Sequence, residues 1–271
     1  MNLTRKALPL SVPSLADKLR TQTPTVGSWM SLGVPAVAEI MADAGFEWLV
    51  VDLEHSAITL REAEELIRVV DLKGLPALVR LSSNDPVLIK RVLDAGARGI
   101  IVPQVNSVEE AEAAVSATRY PPSGKRGVGL ARAQGYGPGF EAYVAQNETQ
   151  LVVIAQIENF MGVEHLEGIV GVEGIDATII GPYDLSASVG CPGRFDDPKV
   201  VALLDTYEET CRRVDAPMGY HVIEPRAELI LERIELGYSF LALSTDFLFL
   251  GDACRREVGA IARNIGNSGG R

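Results

Sequence analysis

The sequence has few cysteines and no excess of positive charge. Its three cysteines, Cys191, Cys211 and Cys254, are far apart and include no Cys-x-x-Cys pair, so they form neither a disulfide framework nor a zinc site. A formal net charge of −11 argues against a nucleic-acid partner, because phosphate binding requires concentrated positive charge. Unpaired cysteines are typical of the reducing cytoplasm.

Long apolar segments are also absent. No continuous apolar run reaches the ~20 residues that a membrane-spanning helix needs, so we expect no membrane partner. Pro9 and Pro13 interrupt the first 20 residues, which lack the apolar core of a signal peptide. We therefore expect a cytoplasmic protein that begins with a lead-in extension or helix.

Short runs rich in Val and Ile recur along the chain and predict eight strands. They lie at 26–30, 47–52, 76–81, 98–102, 151–157, 176–181, 216–221 and 239–243. Helical segments separate most of them; Thr59 and Glu62 form a capping box, and Asp85 followed by Pro86 starts another helix. Apolar strands alternating with helices indicate a parallel sheet buried on both faces.

Eight such units predict an α/β fold, a single-domain (β/α)8 TIM barrel that covers residues 1–271 and ends in a flexible tail at 264–271. A doubly wound open sheet is the alternative. No Gly-x-Gly-x-x-Gly motif follows the first strand, which weakens the dinucleotide-binding version of that alternative.

In a TIM barrel the functional residues follow the C-terminal ends of the strands. Polar and ionisable residues occupy these places on several predicted strands: Asp52, Glu54 and His55 after strand 2, Arg80 on strand 3, Gln156 and Glu158 on strand 5, Asp184 after strand 6, and His221 on strand 7. We therefore predict that these side chains meet at one rim of the barrel.

The main candidates each have a structural explanation beside a chemical one. Glu158 and Asp184 are either loop acids and helix caps, or oxygen ligands of Mg²⁺ or Mn²⁺. Arg80 is either a structural ion pair or a planar fork for a carboxylate or enolate oxygen. His55 is either structural or a base that Asp52 orients.

Other charged residues are weaker candidates. Glu54 is an acceptor within the site or a surface charge, and His165 is expected to face solvent. His221 is a candidate for the pocket of an acceptor substrate. Arg126 and Arg132 are surface bases, or they cover the site and bind an anionic substrate.

Five motifs, in this order, resemble the HpcH/HpaI family of metal-dependent pyruvate aldolases: DLEHS, RLSSNDPVLIKRVLDAGARGIIVPQVNSVEEAE, TRYPPSGKRGVG, QIE and IIGPYDLSASVG. The resemblance covers roughly residues 25–262. It implies cleavage of a 4-hydroxy-2-oxo acid to pyruvate and an aldehyde with a divalent metal, Mg²⁺, Mn²⁺ or Co²⁺. It also implies a homo-oligomer, a hexamer built from dimers that exchange their last helix.

The same resemblance assigns roles to residues. Glu158 and Asp184 hold the metal, Arg80 stabilises the enolate, and His55 paired with Asp52 is the base. The substrate-binding residues are expected to be Arg80, Gln156, Gly181, Pro182, Tyr183, Asp184 and His221. Tyr183 and His221 differ from residues found in relatives, which leaves the identity of the aldehyde open.

Other activities remain open at this stage. A CoA-ester lyase like the citrate lyase β subunit and an oxaloacetate decarboxylase share this fold, and a non-catalytic metabolite-binding barrel would not need the base. No lysine lies at the end of a predicted strand, which argues against the Schiff-base route of other aldolases.

Overall fold

The alternating strands close into a barrel. The structure, a computed structural model, describes residues 14–268. Its strands are β1 (Thr25–Met30), β2 (Leu49–Asp52), β3 (Ala77–Arg80), β4 (Gly99–Val102), β5 (Val152–Ile157), β6 (Ala177–Ile180), β7 (Gly219–Val222) and β8 (Phe240–Thr245). They pair in parallel in sequence order, and β8 closes on β1. The predicted TIM barrel is confirmed and the open sheet is excluded.

Most strand boundaries differ from the prediction by one or two residues. The largest difference is in β7, which begins at Gly219 and not at residue 216. Pro217 lies between these positions, and proline has no N–H to donate to a sheet. His221 consequently lies within β7, followed by one more strand residue, Val222.

Helices cover the outside of the barrel. They are α1 (Leu15–Arg20), α2 (Pro35–Ala42), α3 (Leu60–Leu72), α4 (Pro86–Asp94), α5 (Val108–Thr118), α6 (Phe140–Gln150), α7 (Phe160–Glu164), α8 (Leu166–Val170), α9 (Pro182–Ser188), α10 (Pro198–Arg213), α11 (Ala227–Glu235) and α12 (Asp246–Ser268), with a 3-10 turn at Arg132–Gln134. Both predicted helix starts are confirmed, at Thr59 and at Asp85. Between residues 14 and 268, no helix is long and apolar enough to cross a bilayer.

The two predicted terminal segments lie partly outside the described residues. α1 includes the end of the expected lead-in, whereas residues 1–13 are not described. The expected tail at 264–271 falls within α12 as far as Ser268, and residues 269–271 are again not described.

Alternation along the strands decides which residues face the barrel interior. Val50 and Leu78 belong to the cluster that fills the interior. Successive strand residues point to opposite faces, so Asp52 and Arg80, two positions later, also point inward. Both residues end their strands. They therefore lie inside the barrel at its C-terminal end, where Gln156 of β5 joins them by the same rule.

The opposite end of the barrel is closed by α1. Leu15, Ala16 and Leu19 of this helix belong to the same cluster as the interior side chains, which include Trp48 and Phe240. The rings of Trp48 and Phe240 stack with their centroids 4.3 Å apart. The interior is thus packed from this end upward, and only the C-terminal rim is left for a ligand.

The segment between α5 and α6 is anchored to the outside of the barrel. Arg126 is buried and donates to Asp94 at 2.7 Å and to the Tyr143 hydroxyl at 3.0 Å. Arg132 donates to Asp71 at 2.5 Å. Arg126 is therefore not a surface base, and an acid on α4 binds it. Arg132 is partly exposed and is bound by an acid on α3.

Candidate active site

An arginine is held between two carboxylates at the ends of β2 and β3. Asp52 and Arg80 are direct partners in the strand register. Nε and Nη2 of Arg80 donate to the two carboxylate oxygens of Asp52 at 2.8 and 2.6 Å, and Nη1 lies 3.2 Å from Oε2 of Glu54. Two parallel hydrogen bonds to one carboxylate fix the plane of the guanidinium.

Asp52 binds the backbone of His55 and not its ring. The carboxylate accepts the N–H groups of Glu54 and His55 at 3.0 and 3.3 Å. The ring of His55 is 61% exposed, and its Nε2 lies 3.9 Å from Oε2 of Glu54. The expected contact between Asp52 and the imidazole is therefore corrected: Arg80 occupies the carboxylate, which fixes the loop that carries His55.

Trp29 at the end of β1 connects Arg80 with His221. The guanidinium carbon of Arg80 lies 4.4 Å from the Trp29 ring centroid, and the rings of Trp29 and His221 stack with centroids 4.9 Å apart. A guanidinium over an indole ring is attracted by the π system. Sequence reasoning missed Trp29, because an aromatic residue in an apolar strand looks like an ordinary core residue.

Glu158 and Gln156 form the wall of the site beside β5. Oε1 of Glu158 accepts the backbone N–H of Gln104 at 2.8 Å, and its Oε2 accepts Nε2 of Gln156 at 2.5 Å. Gly181 packs against both side chains: a Cβ there would lie 2.9 Å from Oε2 of Glu158 and 3.1 Å from Nε2 of Gln156. Only glycine leaves these two groups where they are.

Asp184 enters the site from the first turn of α9. Gly181 precedes this helix and Pro182 is its first residue, as the tight turn in the sequence suggested. The N–H of Gly181 is bonded to the carbonyl of Ile157, and Pro182 has no N–H. In residues 181–184, backbone N–H groups that could donate to a ligand therefore remain only at Tyr183 and Asp184.

These side chains surround one cavity of about 380 Å³. Its lining consists of Trp29, His55, Arg80, Gln156, Ile179, Ile180, Gly181, Pro182, Tyr183, Asp184, His221 and Ile223. Most of the predicted site residues thus converge, with Asp52, Glu54 and Glu158 in contact with lining residues. The isoleucines were missed because nothing distinguishes them from core residues. Among residues 14–268, no lysine lines the cavity, in agreement with the argument against a Schiff base.

The acids of the site influence one another. Burial and the neighbouring carboxylate of Glu54 raise the pKa of Glu158 to about 7. Burial also raises the pKa of Glu54, with Asp52 and Asp184 adding to the effect and Arg80 opposing it. For Asp52, burial is outweighed by the hydrogen bonds and charge of Arg80, so its pKa is lowered. The site thus contains four acids and one arginine, and this excess of negative charge favours the binding of a cation.

The donor atoms fit a divalent metal that also binds substrate. Among residues 14–268, no three His, Cys, Asp or Glu side chains form a metal site by themselves. Mg²⁺ and Mn²⁺, however, are commonly held by one or two carboxylates together with water and substrate oxygens. Glu158 and Asp184 supply two carboxylates beside the cavity, and Oε1 of Gln156 is buried without a hydrogen-bond donor.

Comparison with known proteins identifies the family. Residues 25–222 match the model of the HpcH/HpaI aldolase/citrate lyase family. The chain belongs to this family. It is 38% identical to a 4-hydroxy-2-oxovalerate aldolase of Novosphingobium aromaticivorans over 260 residues, which cover 94% of this chain and 98% of the relative. As an HpcH/HpaI protein it is an aldolase, a carbon–carbon lyase.

Two further similar proteins support this assignment. A 2-dehydro-3,6-dideoxy-6-sulfogluconate aldolase of Pseudomonas putida is 36% identical over 86% of this chain and 90% of its own length. The crystal structure of an HpcH/HpaI family protein from Burkholderia cenocepacia J2315 superposes with a TM-score of 0.86 at 32% identity, over 93% of this chain and 100% of that one. The family generally depends on a divalent metal.

Proposed function

We propose that this HpcH/HpaI enzyme is a metal-dependent aldolase that cleaves a 4-hydroxy-2-oxo acid to pyruvate and an aldehyde, and that also catalyses the reverse addition. The observation that carries the proposal is the position of Arg80 and two carboxylates, Glu158 and Asp184, around one cavity. The relatives, which include a 4-hydroxy-2-oxovalerate aldolase, support it.

Glu158 and Asp184 are the residues that would hold the metal, Mg²⁺, Mn²⁺ or Co²⁺. When bound, a divalent cation acts as a Lewis acid on the oxygens of a 2-oxo acid. Gln156 donates to Glu158 and thereby fixes the direction of the carboxylate. Residues 181–184 line the cavity on the other side and would contact pyruvate.

Arg80 supplies positive charge where the enolate of pyruvate forms. Its guanidinium is already held by Asp52 and Glu54, so it does not have to reorganise during the reaction. His55 is the base in this proposal, with Glu54 beside its ring. In cleavage the base removes the proton of the 4-hydroxyl, and the C3–C4 bond breaks to release the aldehyde. The electron pair of that bond forms the enolate of pyruvate, which is then protonated at C3.

Exchange of the C3 hydrogens of pyruvate for deuterium tests the proposal without any choice of aldehyde. The wild-type enzyme should exchange them in D₂O with Mg²⁺ and not with EDTA, as followed by NMR. His55→Ala should exchange them at least ~100-fold more slowly, because a positioned base contributes about that factor or more. His165→Ala is the matched control, since His165 is exposed and does not line the cavity. No exchange by the metal-loaded wild type would overturn the proposal.

We extend the proposal to location and assembly. The three cysteines are unpaired, which suits the reducing cytoplasm. Exposed apolar residues form a stripe along α12, at Phe247, Leu250, Val258, Ile261 and Ile265. Such a stripe on one long helix is typical of a contact with another chain. This supports a homo-oligomer in which α12 packs on a neighbouring subunit, and the family resemblance suggests that the oligomer is a hexamer.

Sedimentation should give six times the mass of one chain for the wild type. Ile261→Glu should lower this mass, because the substitution places a charge in the apolar stripe, where Ile261 is 59% exposed in the single chain. Arg256→Glu alters the charge on the opposite face of α12 and should leave the hexamer intact. A monomeric wild type, or equal masses for Ile261→Glu and wild type, would contradict the assembly.

A further inference from the structure

His221 presents an unoccupied hydrogen-bond acceptor to the cavity. Its Nε2 lies 3.1 Å from the carbonyl oxygen of Ser244. A carbonyl oxygen only accepts hydrogen bonds, so Nε2 carries the proton and donates. Burial and the positive charge of Arg80 lower the pKa of His221 to about 4, so the ring is neutral near pH 7. The second nitrogen, Nδ1, therefore has a free lone pair.

No protein group takes up that lone pair among the described residues. No donor to Nδ1 of His221 is present, and Nδ1 is not one of the buried polar atoms that lack a partner. Because Nδ1 has no partner and is not among the fully buried atoms, it is accessible to solvent. The ring lines the cavity and is held in place by stacking on Trp29.

His221 lines two neighbouring cavities. A second cavity of about 200 Å³ shares Pro182, Tyr183, His221 and Ile223 with the first. The first cavity contains the proposed pyruvate groups, Arg80 and Gln156. The second has mixed polar and aromatic walls, which include Phe195, Tyr220, Glu232 and Arg233. His221 therefore lies beside the proposed pyruvate groups and beside a second polar and aromatic wall.

We propose that His221 is a specificity-determining residue that accepts a hydrogen bond from a hydroxyl group of the acceptor aldehyde, so that the enzyme prefers hydroxylated aldehydes. The inference rests on the proposed function. In the addition, C3 of the enolate forms a bond with the aldehyde carbon, and the aldehyde oxygen takes up a proton to become the 4-hydroxyl. His221 takes no part in these transfers. It binds a hydroxyl that the aldehyde already carries.

The wild-type enzyme provides the first test. We compare kcat/KM for the addition of pyruvate to glycolaldehyde and to acetaldehyde, which differ by one hydroxyl, at saturating Mg²⁺ and equal free aldehyde. A hydrogen bond to the hydroxyl should favour glycolaldehyde by about tenfold. Equal values, in an enzyme that exchanges the C3 hydrogens of pyruvate, would overturn the inference and leave the proposed function intact. If the wild type does not exchange the C3 hydrogens, the inference and the proposed function are both overturned.

Two substitutions assign the preference to His221. His221→Phe keeps a ring on Trp29 but has no acceptor, so the ratio of the two kcat/KM values should fall about tenfold. His221→Gln offers an amide N–H to Ser244 and an oxygen to the substrate, and should restore part of the ratio. A preference for glycolaldehyde that survives in His221→Phe would overturn the role of His221. Should that variant not fold, an unchanged preference for glycolaldehyde in a folded His221→Leu, which also lacks an acceptor, would do so.

Discussion

Replacing Arg80 with methionine is expected to lower the free energy of unfolding by roughly 3–5 kcal/mol at pH 8. Methionine keeps an apolar stem in place but leaves Asp52, whose side chain is 3% exposed, without its charged partner. Glu54 loses the same cation. An unpaired buried charge is far more costly than the loss of an attractive contact. Urea unfolding of the metal-free protein measures the change.

Two comparisons separate the buried pair from a general effect of losing an arginine. In the double variant Arg80→Met, Asp52→Asn the buried charge is removed, so a large part of the lost stability should return. Arg68→Met is the control: Arg68 binds Glu64 at 2.9 Å, but the two side chains are 42% and 40% exposed. We expect a loss of about 0.5 kcal/mol there. Similar losses at both arginines would contradict the argument.

The effect of Arg80→Met should also depend on pH. In the wild type the arginine outweighs burial and holds the pKa of Asp52 below its ordinary value of 3.8. Without Arg80, burial raises this pKa in the folded variant above its value in the unfolded chain. Between the two values the folded state binds the additional proton, so the unfolding free energy of the variant falls as pH rises. Its deficit relative to the wild type should shrink as the pH falls, and shrink further below pH 3.8, where the wild type loses the stability that the lowered pKa of Asp52 provides.

Arg80→Lys examines the chemistry of the same residue. Lysine keeps the charge but lacks the planar fork that binds Asp52 through two parallel hydrogen bonds. We expect C3 exchange of pyruvate to fall by about 100-fold, the usual loss for one preorganised donor. The lysine variant should be more stable than the methionine variant, since a cation still faces Asp52.

The pairing of Asp52 with Arg80 shows which features of the site can be predicted from the pattern within a single strand. Both residues end short apolar strands, and alternation alone points them into the barrel. Their convergence at the rim was therefore predictable. The direction of the His55 ring was not, because it lies beyond the strand in a loop whose path depends on Asp52, and Asp52 in turn is bound by an arginine from another strand.

Trp29 and Arg126 were misjudged for opposite reasons. Trp29 lies in the apolar strand β1, where an aromatic side chain is usually only core, and its role becomes visible through Arg80 and His221 across the barrel. Arg126 lies in a Gly- and Pro-rich segment that looks exposed, yet Asp94 binds it below the surface. Both contacts join residues distant in sequence, and no pattern within one segment reports them.

Replacing Glu158 with glutamine is expected to abolish metal-dependent C3 exchange of pyruvate without weakening the fold. Glutamine has the same shape and still accepts the N–H of Gln104 through its oxygen. Its NH₂ group can donate to Gln156 once that amide turns over to present its unpartnered oxygen, but glutamine offers the metal no charge. Since a bound cation stabilises charge by several kcal/mol, the rate should fall by about 1,000-fold. Asp184→Asn should behave alike. Glu164→Gln, at the exposed end of α7, should exchange like the wild type.

Stability should change in the opposite direction to activity in Glu158→Gln. The carboxylate of Glu158 is buried beside Glu54, and both conditions disfavour its charge, as its raised pKa shows. The neutral amide avoids the cost of burying a charge at this position. The metal-free variant should therefore be more stable than the wild type, by on the order of 1 kcal/mol, as is common where a functional group is kept at the expense of stability. Urea unfolding at pH 8 in EDTA measures the difference.

Metal binding itself distinguishes a ligand from a group that acts only in the chemistry. At a Mn²⁺ concentration of 100 times Kd, a site present only in the folded state stabilises the protein by about 2.7 kcal/mol. The wild type and Glu164→Gln should both show this gain, and Glu158→Gln should lose most of it. A Glu158→Gln variant that loses exchange but is stabilised by Mn²⁺ like the wild type would remove Glu158 from the metal site, leaving Asp184 as the carboxylate that holds the cation.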